Sequence, residues 1–252
     1  MGFVSPKNKK AVLFFLLAVS LAFGGSHSTH ASYEDRVKQY ESADSTARPP
    51  AHAVLFVGSS SIEKWKTLAH DFHGTPVINR GVNGSQYSDL VKYSSRIIVP
   101  YHPKQIVLYS GENDIFNGKA PARVASNVQT LLSDLHRALP EAILYVVSIK
   151  PSLKLADKTE KIRSVNLLIK KIAEHSPNTR YIDIHSAMLN EKGLLRSELF
   201  ISDGLHMNEK GYEIWKKIIQ KALQKDHLHA IGATDRLKEG LKIKAPDCDS
   251  SR

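Results

Sequence analysis

The 252-residue chain has one cysteine, Cys248. An intramolecular disulfide is therefore excluded, and a cysteine four residues from the C-terminal end is not where a lipid attachment site follows a signal. Long hydrophobic runs are also missing. The longest, residues 11–23, falls short of the roughly 20 apolar residues that a helix needs to cross a bilayer. There is no internal repeat and no low-complexity stretch. Lys and Arg outnumber Asp and Glu by 35 to 25, yet no basic block is interleaved with aromatics. The cations are dispersed, often beside acids as at Glu160-Lys161, which argues against a nucleic-acid partner. The Gly-x-Ser-x-Gly elbow of the α/β-hydrolases is absent, which argues against that form of serine chemistry.

What is present begins with an address. Lys7, Lys9 and Lys10 precede the apolar run, and Thr29-His30-Ala31 offers a small-residue cleavage site before Ser32. Residues 1–31 are expected to be a signal peptide. The mature protein would be periplasmic or extracellular, without a transmembrane anchor after processing. Loss of those three lysines takes the formal charge from +10 to +7. The remaining length suits one domain, residues 32–225, with a core large enough to need no disulfide.

Apolar runs of strand length alternate with helix-period segments. Strands are expected at residues 53–57, 76–79, 105–109, 143–148 and 180–184, and helices at 62–70, 87–99, 121–139, 160–175 and 208–224. Pro121 and Pro140 punctuate the third helix, near its start and past its end. Five strands separated by helices imply parallel pairing with helices on both faces. The expected fold is an α/β three-layer α/β/α sandwich, flavodoxin-like, with a five-stranded parallel sheet. Residues 226–252 lose strong apolar periodicity and are expected to form a weakly structured tail, with His227 and His229 as surface residues.

Four polar clusters sit at the ends of these elements. Gly58-Ser59-Ser60-Ser61-Ile62 follows the first strand, where loops converge in an open parallel sheet. Ser60 stands where a nucleophile would stand, although a serine run after a strand also caps helices. Asn79-Arg80-Gly81-Val82-Asn83-Gly84 ends the second strand. Gly84 is the candidate for a backbone amide donor, and Gly81 is expected to serve the turn. Gly111-Glu112-Asn113-Asp114 follows the third strand. Asn113 can donate to an oxyanion without changing charge, Asp114 is expected to anchor the loop, and Glu112 reads as a solvated carboxylate or a substrate contact. Asp203-Gly204-Leu205-His206 precedes the last helix, with the acid and imidazole three apart. The carboxylate can then orient the ring while the other nitrogen faces a serine. An Asp-x-x-His pair can also bind metal, but no third ligand lies at a diagnostic spacing, so neither metal nor cofactor is expected. Trp65, Tyr87, Glu112 and Phe116 are candidates to line a substrate pocket, with core packing the alternative for the aromatics.

In their order and placement these clusters resemble the blocks of the SGNH hydrolases, the GDSL-type esterase and lipase family. Ser60 matches the nucleophile, Gly84 and Asn113 the oxyanion donors, and Asp203 with His206 the final block. Ser59 stands where the family has aspartate, and Ile62 with Trp65 looks like a variant of that block. The resemblance implies ester hydrolysis through a serine acyl-enzyme, with Ser60 N–H, Gly84 and Asn113 holding the oxyanion and no cofactor. The substrate would be a small ester, an acylated sugar or a lipid. Polysaccharide O-deacetylase and lysophospholipase are alternatives within the family. A non-catalytic carbohydrate- or lipid-binding module on the same scaffold is the alternative from another class.

Overall fold

Residues 29–242 are described in a computed structural model, with side chains over residues 33–226. Most of the expected signal peptide, residues 1–28, and Cys248 lie outside the described residues, as do the side chains of His227 and His229. Five strands, β1 (Val54–Gly58), β2 (Val77–Gly81), β3 (Gln105–Tyr109), β4 (Ile143–Val147) and β5 (Thr179–Ile182), form one sheet in the order β2-β1-β3-β4-β5. Every pairing is parallel. The expected flavodoxin-like order is thus present. The chain leaves β1 to one side for β2 and returns to the other for β3, so the crevice that collects ligands in such sheets opens at the carboxyl end of β1.

The strands are apolar on both faces because both are covered. Leu55 and Val57, Ile106 and Leu108, and Leu144 and Val146 point into one core. Helices α1 (Thr29–Thr46), α4 (Tyr87–Ile97), α6 (Pro121–Ala138) and α7 (Thr159–Glu174) cover that face. Phe56, Val107, Tyr109, Tyr145 and Val147 point the other way, where α2 (Ser60–Glu63), α3 (Leu68–Asp71) and α8 (Glu209–Lys242) pack. One further short helix, α5 (Glu112–Phe116), follows β3. Among the described residues, no helix is long and apolar enough to cross a membrane.

Three expectations change. The helix expected over residues 62–70 is broken into α2 and α3, because the chain turns after Lys64 to send both Trp65 and Leu68 into the core. Asp71 secures this turn, accepting from Trp65 Nε1 at 2.7 Å and Thr67 Oγ1 at 2.6 Å. The closing helix does not stop at residue 224 but runs to Lys242, into the segment expected to be a weakly structured tail. That stretch has no proline, and its lysines, leucines, alanines and glutamate favour helix. Helix α1, not expected at all, begins inside the predicted signal. It stacks Tyr33 on Tyr93 at 4.7 Å and ties Arg96 to Glu34 and Glu41.

The second core is held by one aromatic cluster. Trp215 on α8 is fully buried, with ring centroids 4.6 Å from Tyr109 and 6.1 Å from Trp65. Trp215→Ala should destabilise the protein by about 3–5 kcal/mol, read as a lowered urea midpoint with an unchanged slope.

Candidate active site

Gly58 pairs with Gly81 on one side and Tyr109 on the other, so the ends of β1, β2 and β3 are level. A Cβ at Gly58 would lie 1.7 Å from the Tyr109 carbonyl oxygen. Only glycine lets the chain leave the strand here, and Ser59 N–H donates to that same oxygen at 3.0 Å. Gly81 is not a turn residue as expected. It is the last residue of β2, and a Cβ there would strike the backbone of Glu63 at 2.1 Å.

Ser60 is the first residue of α2 and is nearly buried. The turn behind it is fixed from both sides: Tyr212 Oη donates to Ser61 O at 3.0 Å, and Asn79 Nδ2 to Ile62 O at 2.7 Å. Ser59 Oγ, at the position where the resemblance has an aspartate, is buried with no hydrogen-bond partner.

The second and third clusters are laced together. Ser85 O accepts from Asn113 Nδ2 at 2.9 Å and from Ser110 Oγ at 3.2 Å. Asp114 Oδ2 accepts from Tyr87 N–H at 3.0 Å, and Lys119 pairs with its other oxygen at 3.0 Å. Burial pushes the Asp114 carboxyl above its ordinary value, and Lys119 opposes the shift. Gly84 has φ +78°, and nothing lies within 4 Å of where a Cβ would be. The left-handed backbone, and not a close neighbour, is what favours glycine there.

Asp203 and His206 occupy a tight hairpin, closed by the bridge between Phe200 and Met207 and by Ile201 N–H donating to His206 O at 2.9 Å. Asp203 Oδ1 accepts the N–H groups of Leu205 and His206, both at 2.9 Å. Its Oδ2 lies 2.5 Å from His206 Nδ1, and His206 Nε2 lies 2.9 Å from Ser60 Oγ. Residues 146 apart in sequence thus form one continuous hydrogen-bonded line. Lys64 Nζ stands 3.3 Å from His206 Nδ1. Burial works against ionisation of Asp203, but hydrogen bonds from the His206 ring and the two backbone amides outweigh it, holding the carboxyl well below the usual range.

The candidate pocket residues divide. Trp65, expected as pocket or core, lies in the aromatic core, and Tyr87 lies fully buried in the other core. Tyr87 is enclosed, whereas Trp65, on the turn between α2 and α3, lines a surface hollow with Arg36, Glu63 and Val77 that neither Ser60 nor His206 borders. Glu112 is not solvated. It is 4% exposed, ion-paired with Lys150, and accepts from Tyr109 Oη at 2.7 Å. Phe116, 57% exposed at the end of α5, is the one of the four open to solvent. The contacts of Lys150, Tyr212 and Asn79 behind the site were not foreseen from the sequence, where Tyr212 was expected on the apolar stripe of the last helix and Asn79 only as part of the second cluster. Lys150 alone left a signal, a lysine just past a buried strand and before a proline. Among the described residues, no group of three His, Cys, Asp or Glu could hold a metal ion.

A model of the GDSL-like lipase/acylhydrolase family matches residues 44–214. The chain belongs to this family. Ester hydrolysis is the family's general chemistry. The fold is similar to a Streptococcus pneumonia protein named for platelet activating factor, with TM-score 0.69 and 21% identity over 77% of this chain and 93% of that one. A GDSL-like lipase from Bacteroides thetaiotaomicron gives TM-score 0.67 at 20% identity, over 75% and 98% of the two chains. The psychrotrophic esterase EstA from Pseudoalteromonas, in a structure inhibited by monoethylphosphonate, gives 0.56 at 19%, over 69% and 97%. None of the curated proteins matches the sequence.

The lowered Asp203 value has a definite sign. The folded carboxyl titrates below the unfolded one, at ~3.9, so its contribution to stability is present above that pH and lost as pH falls through the folded value. In a carboxyl NMR titration Asp203 should remain ionised well below ~3.9, and His206→Ala should bring it back toward that value.

Proposed function

We propose that the protein is an exported serine esterase, and that Ser60, His206 and Asp203 carry the reaction. The observation that supports this reading is the line from Asp203 through His206 to Ser60, with contacts of 2.5 and 2.9 Å. A hydroxyl is a weak nucleophile until a base removes its proton as it attacks. His206 Nε2 is within reach of that proton. Asp203 holds the ring with Nδ1–H toward its own carboxylate, which presents Nε2 as the acceptor and stabilises the imidazolium that forms.

As Ser60 Oγ bonds to the acyl carbon, the carbonyl oxygen becomes an oxyanion. Its donors are Ser60 N–H, at the first position of α2 where no intrahelical acceptor exists, with Gly84 N–H and Asn113 Nδ2. Asn113 already gives one amide hydrogen to Ser85, which fixes its orientation, and has a second to offer. Collapse of the intermediate expels the alcohol, which takes the proton from His206. Water then attacks the acyl-enzyme, with His206 again as base, and releases the acid and free Ser60. The substrate is a carboxylic ester with a short acyl chain. The phosphonate inhibition of the Pseudoalteromonas relative is what a serine nucleophile of this kind would give.

Ser60→Ala should abolish turnover of a chromogenic short-chain ester and labelling by a fluorophosphonate. Full turnover in that variant would overturn the assignment, and an unlabelled wild-type protein would favour a binding module. Asn113→Ala should lower kcat by roughly 10²- to 10³-fold, with a smaller change in KM, in the same assay.

A further inference from the structure

Lys150 lies three residues beyond β4 with its side chain fully buried. Its ammonium is ion-paired with Glu112, donates to Leu205 O at 2.5 Å and sits 5.5 Å from the centre of the Phe200 ring. Glu112 in turn accepts from Tyr109 Oη at 2.7 Å and from Ser61 Oγ at 3.4 Å. One buried pair therefore touches the ends of β3 and β4, the residue after Ser60, and the carbonyl lying between Asp203 and His206. Two charges withdrawn from water are a poor device for stability alone, since apolar side chains of similar volume fill such space at least as well. A charged hydrogen bond has direction that an apolar contact lacks.

The Asp203 hairpin needs a directional anchor. Asp203 is exposed, and few directional contacts tie the hairpin to the Ser60 turn: Tyr212 Oη of α8 donates to Ser61 O at 3.0 Å and Lys154 N–H to Gly204 O at 3.0 Å, while the carbonyl next to His206 is held by Lys150. We infer that Lys150, held in place by Glu112, is a positioning residue: it grips Leu205 O and so sets His206 Nε2 at hydrogen-bonding distance from Ser60 Oγ. This rests on the reading of Ser60 as the nucleophile. Neither Lys150 nor Glu112 touches the reacting atoms, so both act through the placement of the base.

The pair can be tested without leaving a lone buried charge. In the double variant Glu112→Gln/Lys150→Met both charges are gone but the side-chain lengths remain. It should fold, as judged by a cooperative thermal transition, with kcat reduced roughly 10- to 10²-fold, as expected for a displacement of about 1 Å, and KM within about twofold. The rate of fluorophosphonate labelling should fall by the same factor. The downfield His206 Nδ1 proton signal expected from the 2.5 Å contact with Asp203 should broaden or vanish. Glu112→Leu/Lys150→Met, which also leaves no lone charge and no donor to Leu205 O, should lose kcat by a similar factor and serves if the first variant does not fold. Wild-type kcat, labelling rate and proton signal in either folded variant would overturn the inference. If the wild-type protein neither turns over esters nor is labelled, the esterase reading falls. The proton signal then decides on its own: its loss in the variants supports positioning, and its persistence overturns it.

Discussion

Gly58 leaves β1 so close to β3 that even a methyl group would collide with the Tyr109 carbonyl. The backbone passing through this gap delivers Ser60 to the crevice between the two directions of chain winding. The level ends of β2 and β3 bring Gly84 and Asn113 to the same edge of the sheet. A side chain at Gly58 would force the strands apart or shift the register. A shift of one residue would also turn every alternating apolar side chain toward the wrong core. The same pairings that close the two cores therefore align the loops of the site.

Within that frame the site is held by polar contacts of different weight. Surface pairs such as Arg137 with Asp134 are exposed and worth about 0–1 kcal/mol at most. The contacts that fix geometry are short, directional and mostly buried: Asn79 and Tyr212 on the carbonyls behind Ser60, Ser85 O beneath Asn113, and Lys150 on Leu205. Asp203 differs in being exposed. Its charge is kept by three donors rather than by exclusion from water. The site thus combines a nearly buried serine with an open acid, and the half-buried imidazole bridges them.

Much of this was legible in the sequence for definable reasons. Strands covered on both faces are near-continuous apolar runs, as β1, β3 and β4 are, while the edge strands β2, with Asn79 and Arg80, and β5, with Thr179 and Arg180, are more polar. The placement of Ser60, Asn113, Asp203 and His206 at element ends was legible because each follows or precedes an element whose period is clear. Helix α1 was not, since Tyr33, Val37 and Tyr40 make a narrow stripe among charged neighbours whose role appears only against Tyr93 and Arg96. Lys150 was missed because lysine is almost never fully buried unless paired, and its partner Glu112 lies 38 residues away. Trp65 and Tyr87 were ambiguous for a related reason: an aromatic beside a reactive loop fits a pocket or a core equally well by pattern.

The sequence by itself determined the order of the elements, the parallel sheet and the chemical types available at each strand end, because those follow from periodicity, strand length and local turn chemistry. Tertiary structure decided which of these groups meet. Hydrogen bonds such as His206 to Ser60 and Lys150 to Leu205 act over about 3 Å between residues 146 and 55 apart in the chain. No local pattern encodes such a distance. It is set by the packing of α8 and its preceding hairpin against the sheet, and by a buried ion pair whose partners have no local relation in sequence.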